Sequence, residues 1–251
     1  MERVLKHIPM LITLSAIGAL WWYGPIVQPV HYNEFADNRP LLGIPNAWNV
    51  LSNISFLGVG LWGFQQLWGH RSAPILSRGW PGYSLFLFSL ILTAAGSSFY
   101  HWAPHSFRLI WDRLPIALAC AGLLSAVSAE TNPKVNGLRR VVALAVIAIL
   151  SVFWWYATDQ NGQGDLRPYL LLQGSTLILI PLWQAIYGAA REDRLAFGVA
   201  VLLYIVAKMA EWYDHGLLVL MEGSISGHTI KHLLAAAASA VIVARLIRRL
   251  Q

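Results

Sequence analysis

The chain has 251 residues, 57% of them hydrophobic and only 12% charged, with a mean hydropathy of +0.53. A water-facing surface so poor in charge would form one large apolar patch, so the composition excludes an ordinary soluble domain and places the chain in a bilayer. The formal charge of +6 comes from dispersed Lys and Arg with no accompanying aromatic-basic module, which argues against a nucleic-acid partner.

A bilayer span needs about 20 mostly apolar residues. By that criterion the sequence predicts eight spans, at residues 9–28, 49–68, 82–102, 109–129, 140–158, 168–188, 195–216 and 228–248. The first follows Arg3 and Lys6, as a signal peptide would. Its apolar run continues into Trp21-Trp22-Tyr23-Gly24-Pro25 without a small-residue cleavage site, so it reads as a helix. The lone cysteine, Cys120, excludes an intramolecular disulfide. Connections are short, with no repeat or low-complexity linker. The expected fold is therefore an all-α, polytopic membrane domain, because helices and closed barrels alone satisfy the backbone within lipid.

Orientation follows from the basic residues. With a cytoplasmic N-terminus, the inner segments hold Arg3, Lys6, Arg71, Arg78, Lys134, Arg139, Arg140, Arg191, Arg194, Arg245, Arg248 and Arg249, against Arg39, Arg108 and Arg167 outside. That asymmetry fits the positive-inside rule with both termini cytoplasmic. The tail arginines read as a stop against anionic lipid.

Ionisable side chains within spans are costly, about 2.5–3.5 kcal/mol each at the centre, so each needs a reason. The third span ends in Ser97-Ser98-Phe99-Tyr100-His101, the fourth begins near Trp111-Asp112-Arg113, and the eighth opens with His228-Thr229-Ile230-Lys231-His232. In the expected topology all three groups fall at the outer membrane level. His228 and His232 share one helical face, a spacing at which two imidazoles can bind one metal. A lone pair of this kind is more often packing or surface. A third His and an Asp at matching depth turn it into a candidate catalytic set, in which three imidazoles leave a fourth position open.

These residues resemble a family. Ser97 and His101 at Ser-x-x-x-His, the downstream Asp112, and the late His228-x-x-x-His232 are similar to the signature of the alkaline ceramidases, within the CREST superfamily of membrane hydrolases. Trp48-Asn49-Val50-Leu51-Ser52-Asn53 resembles the family's Trp-Asn-x-x-Ser-Asn. The likeness covers spans two to eight and implies a seven-helix hydrolase domain over residues 31–251, with residues 1–30 an additional N-terminal helix. It also implies one zinc ion on His101, His228 and His232, and hydrolysis of the amide of ceramide or a related N-acyl sphingoid lipid to a fatty acid and a sphingoid base. Asp112 would be the general base, or else a partner that orients a histidine N–H. Ser97 would donate to the oxyanion. Compact loops without sorting motifs suggest a bacterial inner membrane, with the site toward the outer face.

Weaker signals remain open. The family has a calcium site in its N-terminal region, and the first outer loop here carries Glu34, Asp37, Asn38 and Asn46, hard oxygen donors of the type calcium selects. Asn46, however, stands where the family has Glu, and the other reading is a solvated loop in which Asn46 and Asn49 start the second span. In the seventh span, Lys208 and Glu211 read as an internal ion pair, while Glu211 or Asp214 is placed to support the zinc ligands and His215 to compete with one of them. His105 is cut off from His101 by Pro104. Rival functions are ester or phospholipid hydrolysis with the same metal set, a non-catalytic receptor or scaffold with a structural metal, and a transporter using Lys208, Glu211 and Asp214 as a proton relay, for which no broken-helix repeat is present.

Overall fold

A computed structural model describes Leu5 and residues 7–251; Arg3 and Lys6 lie outside the described residues. Among those residues the chain is helical and has no strand, only the isolated bridges Val27 with Asp165 and Leu41 with Ile44. The helices are α1 (Ile8–Tyr23), α2 (Ala47–Leu51), α3 (Ile54–Leu67), α4 (Pro74–Ser77), α5 (Trp80–Trp102), α6 (Ser106–Thr131), α7 (Gly137–Asp159), α8 (Arg167–Ile186), α9 (Arg191–Trp212), α10 (Asp214–Leu220) and α11 (Gly227–Arg248). Six of these, α5 to α9 and α11, are long and apolar enough to cross a membrane, and α1 is a shorter apolar helix. The protein is an all-α, polytopic membrane protein.

The first two expected spans are shorter than the hydropathy suggested. Helix α1 stops at Tyr23 because Gly24 adopts a φ of 92° and the ring of Pro25 disfavours a helical residue before it. The second span is split. Ser52 Oγ and Asn53 Nδ2 both donate to the Asn49 carbonyl, at 3.2 and 2.8 Å, taking over an acceptor the helix would otherwise use. The ladder tightens there to three-residue steps, Ser55 N to the Ser52 carbonyl and Phe56 N to the Asn53 carbonyl. The seventh span likewise ends at Trp212, and α10 starts anew at Asp214.

The chain divides into two compact units. One comprises the segment ending at Pro29, Arg71–Phe86 and Ala117–Arg194; the other comprises Val30–His70, Leu87–Ile116 and Leu195–Gln251. In the first, α1 and α7 pack on α8. Small residues let its helix backbones touch, since a side chain on Gly122 would come within 2.7 Å of Phe86 N and of the Gly82 carbonyl. The α7–α8 connection is tied down by the buried carboxylate of Asp165, which accepts from Trp154 Nε1 at 2.9 Å, from Ile26 N at 3.3 Å and from the Arg167 guanidinium. Burial alone would raise the Asp165 pKa, but the bonds from Arg167 and Trp154 prevail and hold it at about 2.

In the second unit α11 lies along α3, with α2 and α10 also against it. Helices α5 and α6 meet where Gly96 faces the carbonyl of Trp111. Pro115 lacks the N–H that would have bonded that carbonyl from four residues on, and a side chain on Gly96 would overlap it. Gly227 plays the same part at the start of α11, against the carbonyl of Ala210 in α9. Both contacts set the height at which histidine-bearing helices stand.

Gly96→Ala is expected to destabilise the detergent-purified protein by about 1–3 kcal/mol, read as a lower thermal midpoint. Gly58→Ala, where nothing lies within 4 Å, leaves the midpoint unchanged or slightly raised. Asp165 has a folded pKa below its unfolded value, so its contribution is present above about pH 4 and is lost as the pH falls toward 2. The midpoint of the wild type should exceed that of Asp165→Asn at pH 7, and the gap should close over that window.

Candidate metal centre

His101 is in the last turn of α5, and His228 and His232 are in the first two turns of α11. All three imidazoles are buried, and one nitrogen from each lies within 4.8 Å of the others. Among the described residues this is the one group of three or more His, Cys, Asp or Glu side chains close enough to share an ion. The chain segments that supply them are 127 residues apart, so tertiary packing alone brings them together.

Each ligand is positioned by a specific contact. Helix α11 begins at Ser226, whose hydroxyl accepts from Thr229 N at 3.2 Å. The buried carboxylate of Asp214 accepts from His228 N at 2.7 Å and, through its other oxygen, from Ala36 N at 2.9 Å, joining the first turn of α11 to the segment over residues 30–46. His232 Nδ1 meets Ser52 Oγ at 2.7 Å, which leaves Nε2 directed at the other two rings. Ser52 is the residue that breaks the second span, and in a metal site such a partner fixes the orientation of the ring. Asn49 receives a bond from Thr229 Oγ1 at 3.0 Å and donates to the Asp37 carbonyl at 3.1 Å. Asn46 donates to the carbonyl of His101 at 2.8 Å. Asn46 and Asn49 thus lock the histidine level instead of capping α2: Asn46 sits in the left-handed region at φ 47° and makes no side-chain cap bond.

The donor set suits a divalent transition metal. His101 Nε2 and His228 Nε2 are 3.2 Å apart. Two nitrogens bound to one tetrahedral ion at 2.0–2.1 Å would be separated by roughly 3.3 Å. His101 Nδ1, the ring nitrogen that does not face His228, is buried without a hydrogen-bond partner. Phe35 closes one side, its ring centroid 4.7 Å from that of His101 and 4.4 Å from that of His228.

Ser97 and Asp112 lie beside one another, and Asp112 is within electrostatic reach of Lys231. Ser97, one helical turn before His101, has its hydroxyl beside the carboxyl of Asp112 without closing an ordinary hydrogen bond, and both side chains are buried. Lys208 pairs with Glu211 as the sequence suggested, and Glu211 also binds Lys231 Nζ at 2.8 Å. Lys231 Nζ is 3.0 Å from His228 Nε2 and within electrostatic reach of Asp112 and Tyr32. Lys231 is itself an ionisable residue inside a span, the kind of signal that picks out the histidines, but sequence position does not show what it faces. Phe35 carried no such signal. His215 is exposed and outside the cluster.

Of the oxygen donors Glu34, Asp37, Asn38 and Asn46, three are engaged elsewhere. Asp37 is clamped by Arg39, with Nε at 2.8 Å and a terminal nitrogen at 2.6 Å, and this guanidinium holds its carboxyl below the usual range. Glu34 pairs with exposed His31 at 2.8 Å, which raises the histidine pKa. Asn46 is spent on His101, and Asn38 is exposed.

Compared with protein families, curated proteins and solved structures, the chain matches none.

A purified preparation is expected to carry one metal ion per chain, and His228→Ala to carry none, by elemental analysis. Ser52→Ala should keep the ion but yield it to a competing chelator at roughly 10- to 100-fold lower affinity, since only the orienting contact is lost.

Proposed function

We propose that the protein is a zinc-dependent amidohydrolase that cleaves the amide of ceramide or a related N-acyl sphingoid lipid. The reading is carried by three buried imidazoles from α5 and α11 that converge beside a buried Asp and Ser inside a polytopic helical protein. It is supported by the order Ser97, His101, Asp112, His228, His232, which resembles that of the alkaline ceramidases. Zinc is the ion of choice because three neutral imidazoles leave a position open. When bound, it supplies Lewis acidity and lowers the pKa of its water from 15.7 to about 7.

The chain's own residues do the rest. Asp112 accepts a proton from the water that adds to the carbonyl carbon and returns it to the nitrogen as the C–N bond breaks, so that water and amide become a fatty acid and an amine. Ser97 donates to the carbonyl oxygen as negative charge develops there. Phe35 shields the imidazoles, which favours a substrate arriving from the bilayer over one arriving from water. The site belongs to the outer half of the membrane, and both termini to the cytoplasm, by the charge asymmetry of the loops.

The test supplies N-acyl sphingosine and a phospholipid side by side and reads products by mass spectrometry. Free sphingoid base is expected; lysolipid alone would reassign the substrate to the ester class, and neither product would leave a metal-bound scaffold. Asp112→Asn is expected to lower kcat by about 10²- to 10⁴-fold while metal content stays at that of the wild type. Unchanged turnover in that variant would remove Asp112 from the proton transfer.

A further inference from the structure

Helix α11 carries a second cationic centre against the metal ligands. Lys231 lies three residues after His228 and one before His232; its Nζ is anchored by Glu211 Oε1 at 2.8 Å and stands 3.0 Å from His228 Nε2, whose single lone pair goes to the ion when one is bound, so that Glu211 then holds the ammonium at the edge of the centre. Its side chain is only 17% exposed, as is that of Glu211, so this ammonium is held in place and is not a mobile surface charge. Glu211 is shared with Lys208, whose side chain is half exposed. Two lysines therefore stand on one carboxylate, and the group as a whole is positive. The metal centre itself offers only neutral imidazoles. An ammonium fixed beside a divalent cation, with one shared carboxylate to offset it, is a pairing that an anionic oxygen would stabilise.

We propose that Lys231 forms, with the metal held by His101, His228 and His232, a two-point binding site for an anionic oxygen, which takes the carboxylate of an acyl product and the oxyanion that precedes it. This rests on the proposed hydrolase reading for its substrate, but not for the binding itself. Glu211 is the positioning residue, because its bond to Nζ sets where the ammonium points. Lys208 contributes charge at the exposed edge only. Ser97 then acts as a neutral donor on the Asp112 side, and Lys231 as a charged one on the His228 side.

The competing account is that Lys231 only neutralises Glu211. Removing both charges separates the two, since the paired variant Glu211→Gln with Lys231→Met leaves neither partner alone. Full-length protein loaded with cobalt in place of zinc is titrated with octanoate, and the change in the visible cobalt spectrum gives a Kd. Cobalt uptake of one ion per chain shows that each variant is folded at the site. The paired variant and Lys231→Gln are each expected to bind octanoate roughly 10- to 100-fold more weakly than wild type. Lys208→Met is expected to stay within about threefold. Equal octanoate affinity in wild type, the paired variant and Lys231→Gln would overturn the proposal, as would a wild type that takes up cobalt but shows no response to octanoate. A wild type that takes up no cobalt would overturn the metal centre and this site together. Lys231-dependent octanoate binding in a protein that releases no sphingoid base would uphold the anion site and overturn only the hydrolase reading.

Discussion

Three imidazoles buried against one another are the constraint on which the rest of the second unit depends. A buried polar group is tolerated when it is satisfied: His101 Nε2 and His228 Nε2 lie 3.2 Å apart, and His232 Nδ1 meets Ser52 Oγ at 2.7 Å. Nearly every unusual local feature nearby serves that convergence. The break at Ser52 turns a hydroxyl onto His232, the carboxylate of Asp214 fixes the first turn of α11, and Asn46 holds the end of α5 through the His101 carbonyl. Gly96 and Gly227 let the bearing helices come close enough, each against a backbone carbonyl that any larger residue would strike.

Charge inside the apolar unit is handled in the same local way. Glu211 binds two lysines, and Arg113 lies with its guanidinium carbon 5.0 Å from the ring centroid of Tyr32. Asp112 is buried beside the Ser97 hydroxyl, with Lys231, Arg113 and Glu211 in electrostatic reach. A buried carboxyl so placed, near a candidate metal centre, is suited to the proton transfer proposed for it. The carboxylates of Glu34 and Asp37, by contrast, are paired locally with His31 and Arg39.

The long helices were legible because hydropathy reports burial in lipid directly: α5 through α9 and α11 lie within a few residues of the expected spans. The break at Ser52 and Asn53 was not, because side-chain competition for one carbonyl leaves apolar periodicity almost unchanged. The histidine cluster was legible from depth. Successive spans run in opposite directions, so the end of the third and the starts of the fourth and eighth fall on one side of the membrane and share a level. What depth does not reveal is azimuth. Lys231 lies at the same height as the histidines, and only the packed α9–α11 arrangement shows that it turns toward Glu211 and His228. Phe35 lies in a loop whose path has no periodicity to read, and the use of Asn46 for His101 rather than for a helix cap depends on a contact 55 residues away in sequence.

The central claim is that one ion joins α5 to α11. X-ray absorption at the zinc edge of the purified, detergent-solubilised protein tests it most directly, because the spectrum counts the imidazoles around the ion and gives their distance. The account requires a four-coordinate shell with three imidazole nitrogens at about 2.0–2.1 Å and one further light atom. A spectrum without bound zinc, or with zinc in an all-oxygen shell lacking imidazole scattering, would contradict it.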